Sequence, residues 1–70
     1  MAVQYNRLWK VLVDRKMSRA ELRRQAEISA NTMTKLSRDE IVALSILDRI
    51  CETLDVDFGD IIEHVKEEKV

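Results

Sequence analysis

The sequence predicts an all-α domain built from five short helices, and three observations carry the prediction. Proline is absent and glycine occurs once, at Gly59, so a hairpin-rich β fold has almost no turn residues to build from. Apolar side chains recur at helical spacing along most of the chain. Ser18 and Ser29 are both good N-cap residues, and the second stands only three positions after Ala26. Two helices so close together cannot run on as one rod. The second must cross the first steeply, as in a helix-turn-helix over about residues 18–37.

Residues 1–4 form a leader, either frayed or a short strand. Tyr5–Lys16 is the first helix. Tyr5, Leu8, Trp9, Leu12 and Val13 share its inner face, while Arg7, Lys10, Asp14 and Arg15 face water. Trp9, the only tryptophan, reads as core. Ser18–Ala26 is the second helix, with Ser18 and Glu21 spaced for a capping box. Ala30–Ser37 is the third, capped by Ser29, with Met33 and Leu36 inside and Asn31, Thr34 and Lys35 outside. A connection over Arg38–Leu44 should tuck Ile41, Val42 and Leu44 against the core. Ser45 then caps a fourth helix, with Asp48 completing a shortened capping box and Ile46, Leu47, Ile50, Cys51 and Leu54 as its buried stripe. Asp55 or Asp57 caps a fifth helix running through Phe58, Ile61, Ile62 and Val65, with Asp57 and Asp60 at its positive end. Lys66–Val70 reads as a frayed tail.

At 70 residues the chain makes one domain, 1–70, and so small a core gains from tight helical packing or from dimerisation. The hydrophobic fraction of 46% is ample for a core, and 36% charged residues favour solubility. No apolar run approaches the ~20 residues of a membrane span. No signal peptide is visible, so a cytoplasmic protein without membrane association is expected. The single cysteine, Cys51, cannot form an internal disulfide and reads as a small core residue, not a nucleophile. The net charge of −1 hides an asymmetry. Residues 1–38 carry nine Lys or Arg and three acids, 9 − 3 = +6, and residues 39–70 carry three basic residues and ten acids, 3 − 10 = −7. A basic half bearing the helix-turn-helix can face phosphate while the acidic half faces away.

Enzyme chemistry finds little support. His64 is the only histidine, no Cys/His cluster has zinc spacing, and no glycine-rich loop could cradle a nucleotide. No cofactor or small-molecule ligand is indicated. An exposed short helix bearing amide, hydroxyl and amine groups is instead what a reader of the DNA major groove requires. Asn31 can pair bidentately with adenine, and Lys35 can donate to guanine or to phosphate. The bland readings are a helix-start residue and a solvated charge. Arg19, Ser29, Thr32 and Thr34 suit backbone positioning, Ala30 offers a methyl to thymine, and Arg38 can reach the backbone just past the third helix.

The chain resembles the small stand-alone members of the lambda-repressor/Cro-like (XRE) helix-turn-helix family over nearly its whole length. The resemblance rests on Tyr5-Asn6-x-Leu8-Trp9-Lys10-x-Leu12, Glu21-Leu22-Arg23 and Ile28-Ser29-x-x-Thr32-Met33-x-Lys35-Leu36. It continues through Ile50-Cys51-Glu52-x-Leu54 and Asp57-Phe58-Gly59-Asp60-Ile61. It implies a lambda-repressor-like domain of five helices that binds double-stranded DNA and regulates transcription, often as a repressor and a homodimer on a two-fold site. It also implies that Arg19 touches the DNA backbone, that Ser29, Ala30, Asn31 and Thr32 open the recognition helix, and that Thr34 and Lys35 lie one turn on.

Two departures stand out. Many relatives place glycine in the turn where this chain has Glu27, and glutamate in the left-handed region costs about 1 kcal/mol, so either the turn is slightly strained or its geometry differs. Many also place alanine where this chain has Arg23, whose long side chain must extend past the third helix toward solvent. The alternative function is a protein-interaction or antitoxin-like helix-turn-helix module with weak or no DNA binding, a reading the net negative charge supports. A dimer interface could come from the leader Ala2–Tyr5 or from apolar residues around the fifth helix.

Overall fold

The computed structural model describes residues 2–66. In chain order they form β1 (Ala2–Gln4), α1 (Asn6–Asp14), α2 (Arg19–Gln25), α3 (Ala30–Ser37), α4 (Leu44–Leu54), a single 3-10 turn (Phe58–Asp60) and β2 (Glu63–Val65). The core takes Tyr5, Leu8 and Leu12 from the first helical segment and Leu22, Ala26 and Ile28 from α2 and the turn after it. Met33 and Leu36 come from α3, Leu47, Ile50 and Leu54 from α4, and Ile61 from the approach to β2. Each buried leucine or isoleucine contributes about 1.5–3 kcal/mol by leaving water.

The predicted fifth helix does not form, and the described residues hold four α-helices rather than five. Of the two candidate caps, Asp57 is the one that caps, while Asp55 closes α4. Asp57 Oδ1 accepts the Phe58 N–H at 2.9 Å, and Asp60 Oδ2 accepts the Asp57 N–H at 2.9 Å. That box closes only one turn. The β-branched Ile61, Ile62 and Val65 favour extended backbone, and the leader offers a partner. The leader is the short strand, β1, and pairs antiparallel with β2 in the register Ala2–Val65, Val3–His64 and Gln4–Glu63. Arg7 reinforces this end, with Nη1 donating to the Gly59 carbonyl at 2.9 Å and Nε 3.5 Å from Glu63 Oε1. The tail over 67–70 lies outside the described residues.

Several side chains also depart from expectation. Ser45 is not the cap of α4. Ala43 holds that position without a side-chain bond, because the helix starts two residues earlier than expected, at Leu44. Leu44 and Ile41 therefore stand 66% and 59% exposed, leaving only Val42 of the connection packed on the core. Val13, placed inward by its spacing, lies off the buried stripe and is 75% exposed. Cys51 is half-buried against the core, and burial, followed by the carboxylates of Asp57, Asp48 and Asp60, pushes its thiol up. It stays protonated and is a poor nucleophile.

All four helices end in the same way, with a non-glycine residue in the left-handed region: Lys16 (φ 54°), Glu27 (54°), Asp39 (56°) and Asp55 (55°). Beyond each, a backbone N–H reaches back five residues. Met17 donates to Leu12, Ile28 to Arg23 and Glu40 to Lys35, all at 2.9 Å, and Val56 to Cys51 at 3.0 Å. These are Schellman-type closures, which usually take glycine. The lone glycine stands elsewhere, in the 3-10 turn.

Tyr5 joins the two ends of the helical array. It is fully buried. Its hydroxyl donates to the Glu40 carbonyl at 2.7 Å, and its backbone N–H donates to Asp39 Oδ1 at 3.2 Å. The exit of α3 is thereby tied to the start of α1.

Replacing Glu27 with glycine is expected to stabilise the fold by about 1 kcal/mol, because the left-handed turn then carries no Cβ penalty. Asp39→Gly should gain nothing, since it also removes the acceptor for the Tyr5 N–H; urea unfolding of both variants checks the contrast. Burial holds the Tyr5 phenol above its ordinary value of 10.0. The fold therefore favours the neutral phenol, and the resulting stability is complete below about pH 10 and lost as pH rises through the higher folded value. Alkaline unfolding should show this loss in the native chain and not in Tyr5→Phe, which itself costs about 1 kcal/mol near neutrality through the missing hydrogen bond.

Candidate nucleic-acid interface

The helix-turn-helix is built by local hydrogen bonds that the sequence dictates. Ser18 Oγ accepts the Glu21 N–H at 3.1 Å, and Glu21 Oε1 accepts the Ser18 N–H at 3.3 Å, completing the capping box of α2. That box turns the one carboxylate of α2 inward on the backbone. Ser29 Oγ accepts the Thr32 N–H at 3.1 Å and starts α3. Between the helices Glu27 takes the left-handed turn, Ala26 and Ile28 are buried, and α3 packs back on α2 through Met33 and Leu36.

The outer face of this unit gathers all eight predicted contact residues. Arg19, Ser29, Ala30, Asn31, Thr34, Lys35 and Arg38 are exposed, and Thr32 is half-buried. Their hydrogen-bonding capacity differs. Ser29 Oγ donates to Thr32 Oγ1 at 2.9 Å, and Thr34 Oγ1 donates to the Ala30 carbonyl at 3.0 Å, so these three hydroxyls are engaged within α3. Asn31 and Lys35, one turn apart, have side chains with no protein partner among the described residues. The Arg38 backbone N–H closes α3 on Thr34 and Lys35, leaving its side chain in solvent.

Arg19 is held from two sides. Its guanidinium carbon lies 3.8 Å from the centroid of the Trp9 ring, and Nη1 donates to Ser37 Oγ at 3.0 Å. One side chain thus spans α1, α2 and α3 by a cation–π stack and a hydrogen bond. Trp9 packs against the core but is only half-buried, and Arg19 lies over its face, which corrects the core reading. An aromatic at helical spacing gives no sign that a cation from another helix will cover it.

Two further residues, Arg49 and Ser37, were not singled out by sequence reasoning. Arg49 on α4 donates from Nη1 to the Glu27 carbonyl at 3.2 Å, bracing the left-handed turn. Ser37 receives Arg19, and Arg23, expected to extend toward solvent, is exposed and joins Arg19 in lining an open cavity of about 320 Å³ between α2 and α3. Arg49 could have been suspected only as a lone cation among the acids of α4. No group of His, Cys, Asp and Glu suited to a metal ion occurs among the described residues.

Comparison with known proteins agrees with this geometry. The family model of the Cro/C1-type HTH DNA-binding domain matches residues 7–67. The chain is similar to the crystal structure of the transcriptional regulator VanUg (Form II), with a TM-score of 0.92 and 50% sequence identity, covering 94% of this chain and 88% of that one. A search of curated proteins gave no match. A capped pair of short helices, the turn at Glu27 and a family match spanning all of the helices but the first residue of α1 lead to one conclusion: this chain belongs to the Cro/C1-type helix-turn-helix DNA-binding family.

Proposed function

We propose that this protein is a sequence-specific transcriptional regulator, acting as a repressor, that places α3 in the major groove of double-stranded DNA. The observation that carries the reading is the pair Asn31 and Lys35, exposed and unengaged on the outer face of α3, one turn apart and bordered by Arg19 and Arg38. In this reading Asn31 reads adenine, and Lys35 donates to guanine or to a backbone phosphate. Arg19 and Arg38 contact phosphate, the capping region Ser29–Thr32 brings the helix start close to the bases, and Ala30 and Thr34 contact by shape. The regulatory role is supported by the likeness to a transcriptional regulator at 50% identity. The protein acts as a homodimer, because a single module this small makes few base contacts and two-fold pairing doubles them.

Duplex affinity should fall steeply with salt, with a logarithmic slope of about −0.9 per phosphate contacted. Lys35→Ala should weaken binding, and Asn31→Ala should relax preference at one base pair, costing about 1–3 kcal/mol there. Titrations of selected and scrambled duplexes across a salt series measure both. No detectable binding at low salt would favour the protein-interaction alternative instead. Selection from a random duplex pool should return a palindromic site, and sedimentation showing only monomer on that site would exclude the dimer.

A further inference from the structure

We propose that Arg19 and Arg23 together form a seat for a single phosphate of the DNA backbone, in the cavity between α2 and α3. The proposal rests on the DNA-binding reading above and assigns Arg23 a part in it. The two arginines stand four residues apart on α2, so they share a face with Cβ atoms about 5–6 Å apart. Like charges at that spacing repel unless an anion lies between them. No carboxylate lines the cavity, whose other walls include Ala20, Ala30, Met33 and Thr34. The Thr34 hydroxyl is turned back on the Ala30 carbonyl, so the α3 wall offers little competing polarity.

The two guanidinium groups have complementary roles. Arg19 is preset by the Trp9 ring at 3.8 Å and by one hydrogen bond to Ser37, which leaves most of its five N–H donors free. Arg23 has no protein partner among the described residues, and its length lets it close over the opposite side of an anion. A guanidinium fork matches phosphate oxygens in pairs, so one phosphate can satisfy both groups. The first helix of a helix-turn-helix crosses the DNA backbone, which makes the occupant a backbone phosphate and not a base edge. Arg23, on the cavity wall beside Arg19, is what converts the gap between the helices into a seat.

The test uses the full chain with a mixed-sequence duplex across a salt series, comparing the native protein with Arg23→Ala, Arg23→Lys, Arg19→Ala and the double alanine variant. Arg23→Ala should keep its melting temperature and bind roughly tenfold more weakly at low salt, on every duplex alike. Arg23→Lys should recover part of that loss. Because one phosphate is shared, the double variant should lose less than the product of the single losses, and its salt slope should shrink by one phosphate, ~0.9, in total. Native affinity and slope in Arg23→Ala overturn the proposal, as does a loss confined to one base pair. Fully multiplicative losses with a slope change near two phosphates overturn the shared seat. If Arg19→Ala melts early, the two Arg23 variants decide alone. Failure of the native chain to bind any duplex defeats the DNA-binding reading itself, a result distinct from all of these.

Discussion

The tie made by Tyr5 is the constraint on which the rest of the arrangement depends. α1 and α3 are separated by α2 and two left-handed turns, and the apolar packing between them is not directional. The phenol on the Glu40 carbonyl and the Tyr5 N–H on Asp39 add direction, because hydrogen bonds weaken quickly off axis. They fix where α3 ends. Arg19, stacked on Trp9 of α1 and bonded to Ser37 in the last turn of α3, fixes the same pair from the other side. Arg49 braces the turn between α2 and α3 from α4. α3 is thus held near both ends by groups that do not belong to it.

What the sequence made legible is what local chemistry decides. Ser18, Glu21 and Ser29 cap as their spacing requires, and α3 spans Ala30–Ser37 as read, because a cap and its helix lie within four residues of each other. Glu27 takes the left-handed turn for the same reason. What stayed hidden needs partners far along the chain. β1 and β2 are three residues each, too short to show alternation, so the strand at residues 2–4 could be read only as one of two options and its pairing with β2 not at all. The cap at Asp57 forms, yet a cap starts a turn without deciding how long the helix runs. The covering of Trp9 by Arg19 and the bracing of Glu27 by Arg49 are likewise contacts between elements, invisible to periodicity.

The hydroxyls of α3 show how a local rule can mislead about a site. Ser29, Thr32 and Thr34 read as groups suited to positioning on a DNA backbone, yet Ser29 Oγ caps α3 and donates to Thr32 Oγ1, and Thr34 Oγ1 donates to the Ala30 carbonyl. A serine that caps and a threonine that bonds back four residues are stabilising their own backbone or each other. The side-chain polarity left on the first two turns of α3 is concentrated in Asn31 and Lys35.

The separation of charge along the chain has a consequence for how its pI of about 5.8 should be understood. At physiological ionic strength the screening length is about 8 Å, and the narrowest extent of the molecule is 18 Å. A phosphate approaching one surface therefore responds to the ions within a few water diameters and is nearly blind to those on the far side. Bulk measures of acidity, such as migration on an ion-exchange column, average over a molecule that a neighbouring polyanion meets only one face at a time.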